Sequence, residues 1–465
     1  MKKSKVLDII LNGIGLTNII FWKINLIYIL TNTKYCPLNI YTHIYIVSFL
    51  FKLKYLLLIY MSQLNEAKND NLPDAVYYDV LTTNFSSTTK NPKPFAFNES
   101  RSSPYIENPE HYDLSILRFT IDTGLLPLFI PSIQPSPNND VNATIYSITM
   151  RQVNPLNDVV LAESDQIFLE WLPQDKSSSV PNSPFVNQTG VQDNRSGYYN
   201  CYSYNWFLYI VYQAMESALT NLQADLPGFI AYPDTIYTPV LIWDAARGCA
   251  ILKAQLGVFD ELTGSTPRIE IYFNAPLFNL FNSFPSSYVG YETIDSSNGK
   301  NHRLIIADVG GSNVSQLFPD GIPDTGTSAT YYNVVDVVQE YSTTSSWNPI
   351  NAIVFTSNTL PIEPSQVSTP VVFVDGAPRI GGTNANLENI ITDLVSDDGN
   401  FRPNLVYLPT AQYRLIHLYG NRPLHNLDLV ISYRLKTGEL IPFKLNSGGS
   451  VSVKIGFIKK DKYLK

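Results

Sequence analysis

The last stretch of the chain alternates apolar and polar side chains with a period of two. Val451, Val453, Ile455 and Phe457 fall on one face, Ser452, Lys454 and Gly456 on the other. That period belongs to a β-strand with one face in a core. The same reading predicts strands over 114–121, 143–150, 166–171, 238–244, 249–256, 269–273, 302–307, 334–341, 351–357, 371–374, 387–394, 413–418, 428–434 and 451–458. Turn residues recur between them, and Asp244-Ala-Ala-Arg-Gly joins two as a hairpin-like connection. A helical period appears once at length. Phe207, Ile210, Val211, Ala214, Ala218 and Leu222 predict a helix over 203–223, with Ser203 as N-cap and Pro227-Gly228 as its stop. A shorter helix is expected over 276–284. No repeat of about 20–50 residues is apparent, which argues against a solenoid or propeller. The fold class expected is mainly β: an antiparallel β-sandwich or jelly roll, in one large or two adjacent β domains, with an inserted helix near 203–223.

Composition strengthens the β reading. Hydrophobic residues make up 45% of the 465 positions, enough for a real core, while 15% are charged, against roughly a quarter in an ordinary soluble domain. Thirty Tyr, 23 Phe and 31 scattered Pro favour many short strands over helices. The charge is uneven. Residues 1–60 hold seven Lys and one acid, Asp8, leaving the rest with 25 basic and 39 acidic residues, a net of −14. An acidic body lacks the clustered Lys and Arg of a broad nucleic-acid surface. The basic tip, Lys459, Lys460, Lys462 and Lys465, reads as a solubilising end outside the fold.

Four segments are expected. Residues 1–60 are rich in Ile, Leu, Tyr, Asn and Lys and contain no Arg. Lys23, Lys52 and Lys54 interrupt their apolar runs, short of the ~20 apolar residues of a spanning helix. They read as a spurious extension upstream of a start at Met61, or as a weak membrane-like segment. Residues 61–110, dominated by Asn, Ser, Thr and Pro, read as an extended N-terminal arm with Phe95 and Phe97 as anchors. Residues 111–345 form a first β region carrying the helix, and 346–465 a C-terminal β region or part of the same sandwich.

The sequence offers little chemistry. Five His, at 43, 111, 302, 417 and 425, show no zinc-site spacing. Cys36, Cys201 and Cys249 form no CxxC pair, and both a Cys201–Cys249 bridge and reduced buried thiols stay open. Gly310-Gly311-Ser312 and Gly381-Gly382 are neither a dinucleotide fingerprint nor a phosphate loop. There is no GxSxG elbow. Asp320 and Asp324, in Asp320-Gly-Ile-Pro-Asp-Thr-Gly, are weak cation-loop candidates, and Asp397-Asp398-Gly399 reads as a turn. Sequons at Asn84, Asn98, Asn142, Asn187, Asn194 and Asn313 fit chance in so Asn-rich a chain. No cofactor, metal or catalytic residue is expected.

Several strings carry a resemblance. They are Pro104-Tyr-Ile-Glu-Asn-Pro-Glu-His-Tyr-Asp-Leu-Ser-Ile-Leu-Arg-Phe-Thr-Ile, Leu126-Pro-Leu-Phe-Ile-Pro-Ser-Ile, Trp347-Asn-Pro-Ile-Asn-Ala-Ile-Val-Phe and Tyr413-Arg-Leu-Ile-His-Leu-Tyr-Gly-Asn-Arg-Pro-Leu-His. With the closing strand, over roughly 76–460, they resemble minor capsid or penton-type jelly-roll proteins of Polinton-like, adintovirus-like and virophage-related small DNA viruses. The resemblance implies a non-enzymatic structural protein of an icosahedral virion, assembled inside the host cell. Its partners would be copies of itself, in a ring or capsomer, and other capsid proteins. Phe95, Phe97 and Trp347 are the expected contact residues, although Trp347 fits packing within the domain equally well. Two alternatives stay open: a carbohydrate-binding attachment protein, suggested by the Tyr-rich β surface, and a β-sandwich hydrolase.

Overall fold

The computed structural model describes residues 52, 54–55, 72–85, 93–135, 138–184, 192–224, 228–261, 266–290, 299–318, 331–367, 371–374, 377–380, 386–395, 404–408 and 414–460. The chain divides into two compact units, Met1–Pro73 and Asp74–Lys465. All that follows concerns the second.

The closing strand, Ser450–Lys459, is central to its sheet. Val451, Val453, Ile455 and Phe457 are fully buried, each burial worth about 1.5–3 kcal/mol. The strand pairs antiparallel with Ala75–Thr83 on one side and Tyr112–Asp122 on the other, and Asn404–Tyr407 and Ile416–His417 extend the sheet from Tyr112–Asp122. The facing sheet runs Ile390–Leu394, Ile350–Thr356, Asn426–Leu435 and Leu440–Pro442, with Ala96–Ser100 also on Asn426–Leu435. Phe119 of the first sheet meets Phe355 of the second at 5.1 Å between ring centroids. Two antiparallel sheets with such a shared interior make a sandwich.

Part of the stretch expected as an extended N-terminal arm, 61–110, is strand instead. Ala75–Thr83 and Ala96–Ser100 are strands, one in each sheet. Val76, Tyr78 and Val80 share registers with Phe457, Ile455 and Val453, so they face the core. Polar composition hid this short alternation. The expected outlying tip is also corrected at Lys459, which is buried and whose backbone N–H donates to the Asp74 carbonyl at 3.0 Å. Lys460 Nζ donates to the Leu418 carbonyl at 3.1 Å.

Between Asp122 and Ile350 the chain leaves this sandwich and builds another. One sheet runs Ser286–Tyr288, His302–Leu304, Arg268–Phe273, Ala143–Asn154 and Val159–Glu163, with Ile167–Glu170 also on Ala143–Asn154. The other runs Val314–Leu317, Tyr332–Val338, Cys249–Gln255 and Val240–Asp244. The helix Tyr204–Gln223 packs its predicted face on Ala143–Asn154, Ile167–Glu170 and Val240–Asp244. Thus Tyr112–Asp122 belongs with the C-terminal strands, not with the region after it, and the division into 111–345 and 346–465 is redrawn. Strand partners lie hundreds of residues apart, so local pattern could not assign them.

Local details follow the sequence with two exceptions. Ser203 occupies the N-cap position with extended backbone, yet its side chain makes no capping bond. The second helix is Ala275–Leu280, shorter than predicted, and Asn274 Oδ1 caps it by accepting from Leu277 N–H at 3.1 Å. In the hairpin at 244–249, Asp244 Oδ1 accepts from the N–H groups of Ala246 and Arg247, and Gly248 takes φ +64°. Cys201 and Cys249 are both buried and unbridged.

Candidate assembly faces and the cleft between the sandwiches

The register of the first sheet sorts its outward residues into rows. Leu81, Ser452, Thr120 and Val406 lie across from one another, and Asp79, Lys454 and Arg118 form the next row. Leu81 is 71% exposed and Val406 56%. Tyr77, Phe85 and Leu408 are exposed as well. Arg118 Nη2 stands 3.3 Å from Asp79 Oδ1, and Lys454 Nζ lies over the Tyr77 ring at 5.3 Å. Large apolar groups therefore flank a charged middle on an uncovered face. Ala75–Thr83 is the edge of this sheet among the described residues.

The expected contact residues sit elsewhere. Trp347 is 1% exposed, inside the core of the inserted sandwich. Phe95 is buried, and its N–H donates to the Phe443 carbonyl at 2.8 Å. Phe97 is half-buried with its ring 6.3 Å from that of Tyr78. Trp347 and Phe95 thus have no free surface in the subunit, because their area is spent on its own core. Asp320, Asp324, Cys36, His43 and Asp397-Asp398 lie outside the described residues. The exposed sheet face was missed, although Tyr77, Asp79 and Leu81 alternate with Val76, Tyr78 and Val80 and could have revealed it.

One cluster of charged side chains in the insert is neutralised internally. Glu270 accepts from Arg268 Nη2 at 2.8 Å, Arg303 Nη1 at 2.9 Å and Tyr272 O–H at 2.6 Å. Glu261 accepts from Arg303 Nη1 at 2.8 Å. Burial, then the Glu270 charge, pushes the Tyr272 phenol well above its usual range, so it stays protonated and donates. A buried network satisfied in this way rigidifies a sheet. Burial pushes the Cys201 thiol up to about 11, away from a reactive thiolate. Among the described residues no group of three or more His, Cys, Asp and Glu is placed to hold a metal ion. None of their helices is long and apolar enough to cross a membrane. His417 Nδ1 lies 2.6 Å from Asp113 Oδ1, His425 Nδ1 lies 3.0 Å from the Arg101 carbonyl, and the His302 ring stacks on Phe278 at 3.9 Å.

The two sandwiches meet through the turn between Asn426–Leu435 and Leu440–Pro442. There Arg195 Nε donates to Glu439 Oε1 at 3.2 Å and Asn194 Nδ2 to Oε2 at 3.4 Å. Lys436 Nζ donates to the Ser345 carbonyl at 2.8 Å. Beside this latch opens a cleft of about 220 Å³, walled by Asp175, Arg195 and Asn200 from the insert and by Tyr433, Ile441 and Lys444 from the first sandwich.

Comparisons with known proteins agree with this architecture. A family model described as Sputnik minor capsid protein V18/19 matches residues 76–459. An uncharacterized protein V18 of Sputnik virophage is 35% identical over 164 residues, which is 35% of this chain and 93% of that protein. Structural protein V19 of the same virophage is 31% identical over 224 residues, 46% of this chain and 91% of that protein. A chain in the cryo-EM structure of the Sputnik virophage superposes with a TM-score of 0.68 at 29% identity, covering 84% of this chain and 99% of that one. The mavirus penton protein superposes with a TM-score of 0.50 at 15% identity, covering 83% and 100% respectively, a likeness of fold alone. The protein is a structural component of a viral capsid and resides in the virion. With the family model spanning both sandwiches, from the first strand to the last, the chain belongs to the Sputnik minor capsid protein V18/19 family.

Proposed function

We propose that this chain builds a vertex capsomer as a ring of five copies and catalyses no reaction. The observation that carries the reading is the outer face of the first sheet, where Leu81, Val406 and Tyr77 stay exposed over a closed core. An apolar surface kept at that position gains from burial against another subunit. Contact between unlike faces of successive copies closes into a ring. A stable interface needs about 800 Å² from each partner, and a sheet face of this breadth is suited to supply much of it. Other capsid proteins then meet the rim of the ring. The satisfied Glu270 network and the protonated Cys201 thiol support a non-catalytic role.

Native mass spectrometry of the full chain tests this. A pentamer is expected, and Leu81→Asp with Val406→Asp should shift it to monomer while leaving the fold intact. A trimer would replace the ring number. A monomer at every concentration, with or without other capsid proteins, would overturn the reading.

A further inference from the structure

His302 is built into the insert in its neutral form. It opens the strand His302–Leu304, which pairs with Arg268–Phe273 on one side and with the edge strand Ser286–Tyr288 on the other. Its ring lies flat on Phe278 of the helix Ala275–Leu280, with centroids 3.9 Å apart and 9° between the planes. The Tyr288 ring is 5.1 Å away. Nδ1 of His302 is buried with no hydrogen-bond partner. A neutral imidazole has one acceptor and one donor nitrogen, whereas both nitrogens of the cation donate. The cation therefore sets an N–H at Nδ1 with nothing to receive it. The Phe278 face attracts an imidazolium, but a buried charged donor left unpaired costs more than a half-solvated cation–π contact returns.

No neighbouring charge offsets that cost among the described residues. The helix Ala275–Leu280 has no titratable side chain. Ser286–Tyr288 contributes Tyr288 alone. In Arg268–Phe273 the residue across from His302 is Phe273, and Arg268, Glu270 and Tyr272 alternate onto the other face. Arg303 is on that other face too, where its Nη1 meets Glu261 and Glu270, and Lys300 Nζ donates to Glu163. Burial holds the His302 imidazole below its ordinary value of 6.5. Stability from the neutral ring is thus fully present above 6.5 and is lost as pH falls from there to the folded value. What it secures is short. Only Ser286, Ser287 and Tyr288 pair with Leu304, Arg303 and His302, and short edges open at low free energy.

We propose that His302 is an acid-operated catch: a second proton on its ring lifts the hairpin of Ser286–Tyr288 and His302–Leu304 from the helix Ala275–Leu280. Phe278 and Leu304, both buried in the core of the insert, are then uncovered. In the virion, mildly acidic surroundings would open this edge of each subunit. The catch depends on the fold of the insert and not on the ring number.

Hydrogen exchange of the full chain at about pH 7.5 and about pH 5, on either side of an ordinary histidine, tests the proposal. After correction for intrinsic exchange, protection over 286–289 and 302–305 should fall about fivefold or more in acid, the cost of one unpaired buried donor. Protection over Cys249–Gln255 should hold. His302→Phe keeps the stack and cannot titrate, and His302→Gln cannot titrate either. Both should keep equal protection at the two pH values. The proposal is overturned if the parent hairpin does not loosen in acid. It is equally overturned if either variant loosens as the parent does, or if Cys249–Gln255 loosens equally.

Discussion

Trp347 Nε1 donates to the Leu280 carbonyl at 2.8 Å, and this bond holds the chain where it leaves the insert for the first sandwich. Rings of Phe129, Tyr204, Phe207, Trp243 and Phe281 surround the indole, with centroids 5.2–6.0 Å away. Trp347→Ala should cost about 3–5 kcal/mol, as other large-to-small core substitutions do. Trp347→Phe should cost less, since Thr343 Oγ1 also donates to the Leu280 carbonyl at 2.8 Å. Urea unfolding measures both, and a loss below about 1 kcal/mol for the alanine variant would contradict the core assignment.

Gly456 is a place where the closing strand cannot carry a side chain. The register shift opposite Lys454 and Ile455 leaves Leu117 as an extra residue, and it leans over Gly456. An added Cβ would stand 2.8 Å from Leu117 Cδ1. Gly456→Ala should cost about 1–3 kcal/mol by overpacking. Leu117→Ala in the same chain should recover part of that loss, because the two residues share one space. A double-mutant cycle would show the coupling, expected near 0.5–3 kcal/mol. Additive effects would remove Leu117 as the cause.

How much of this was legible in the sequence depended on range. The period-two run Val451–Phe457 and the helical stripe from Phe207 to Leu222 carry their own signal, and both faces are buried as expected. Ala75–Thr83 was missed because Asp79, Thr82 and Thr83 dilute its alternation and its partner lies some 370 residues on, at Ser450–Lys459. The same reason moved Tyr112–Asp122 from one region to another. Trp347 illustrates a different limit. An aromatic residue that binds neighbours and one that fills a core look alike in sequence, and only its surroundings decide. The cleft was illegible, since Asn200, Arg195, Tyr433 and Lys444 form no local pattern and meet only through two sandwiches.

Glu439 gives the latch a pH dependence. Burial pushes its carboxyl above the ordinary value of 4.5, and the Arg195 charge offsets this only in part. The folded chain therefore keeps a proton that the unfolded chain releases. The stabilising contribution is fully present below the unfolded value and is lost as pH rises through the folded one. Glu439→Gln cannot lose it. The stability of the variant relative to the parent should thus grow as pH rises from about 4.5, in chemical unfolding curves taken across the acid range. A difference that stayed flat would mean that Glu439 is as well solvated folded as unfolded.

Asp428 works in the opposite direction. Burial disfavours its charge, but Ser357 Oγ, the N–H groups of Asn358 and Thr359, and Thr359 Oγ1 all donate to it, and together they hold the carboxyl below the ordinary 3.8. Its contribution is present above the unfolded value and lost as pH falls through the folded one. Asp428→Asn keeps one acceptor and turns an NH₂ group toward backbone donors. At neutral pH this should cost about 1.5–3 kcal/mol, the range for hydrogen bonds to a charged group. As the parent carboxyl protonates the gap should close, because both chains then present one acceptor and one donor to the loop at 357–360. Parallel unfolding of parent and variant from neutral pH to about pH 2 reads this directly. A gap that persists undiminished at the acid end would assign the loss to shape rather than to charge.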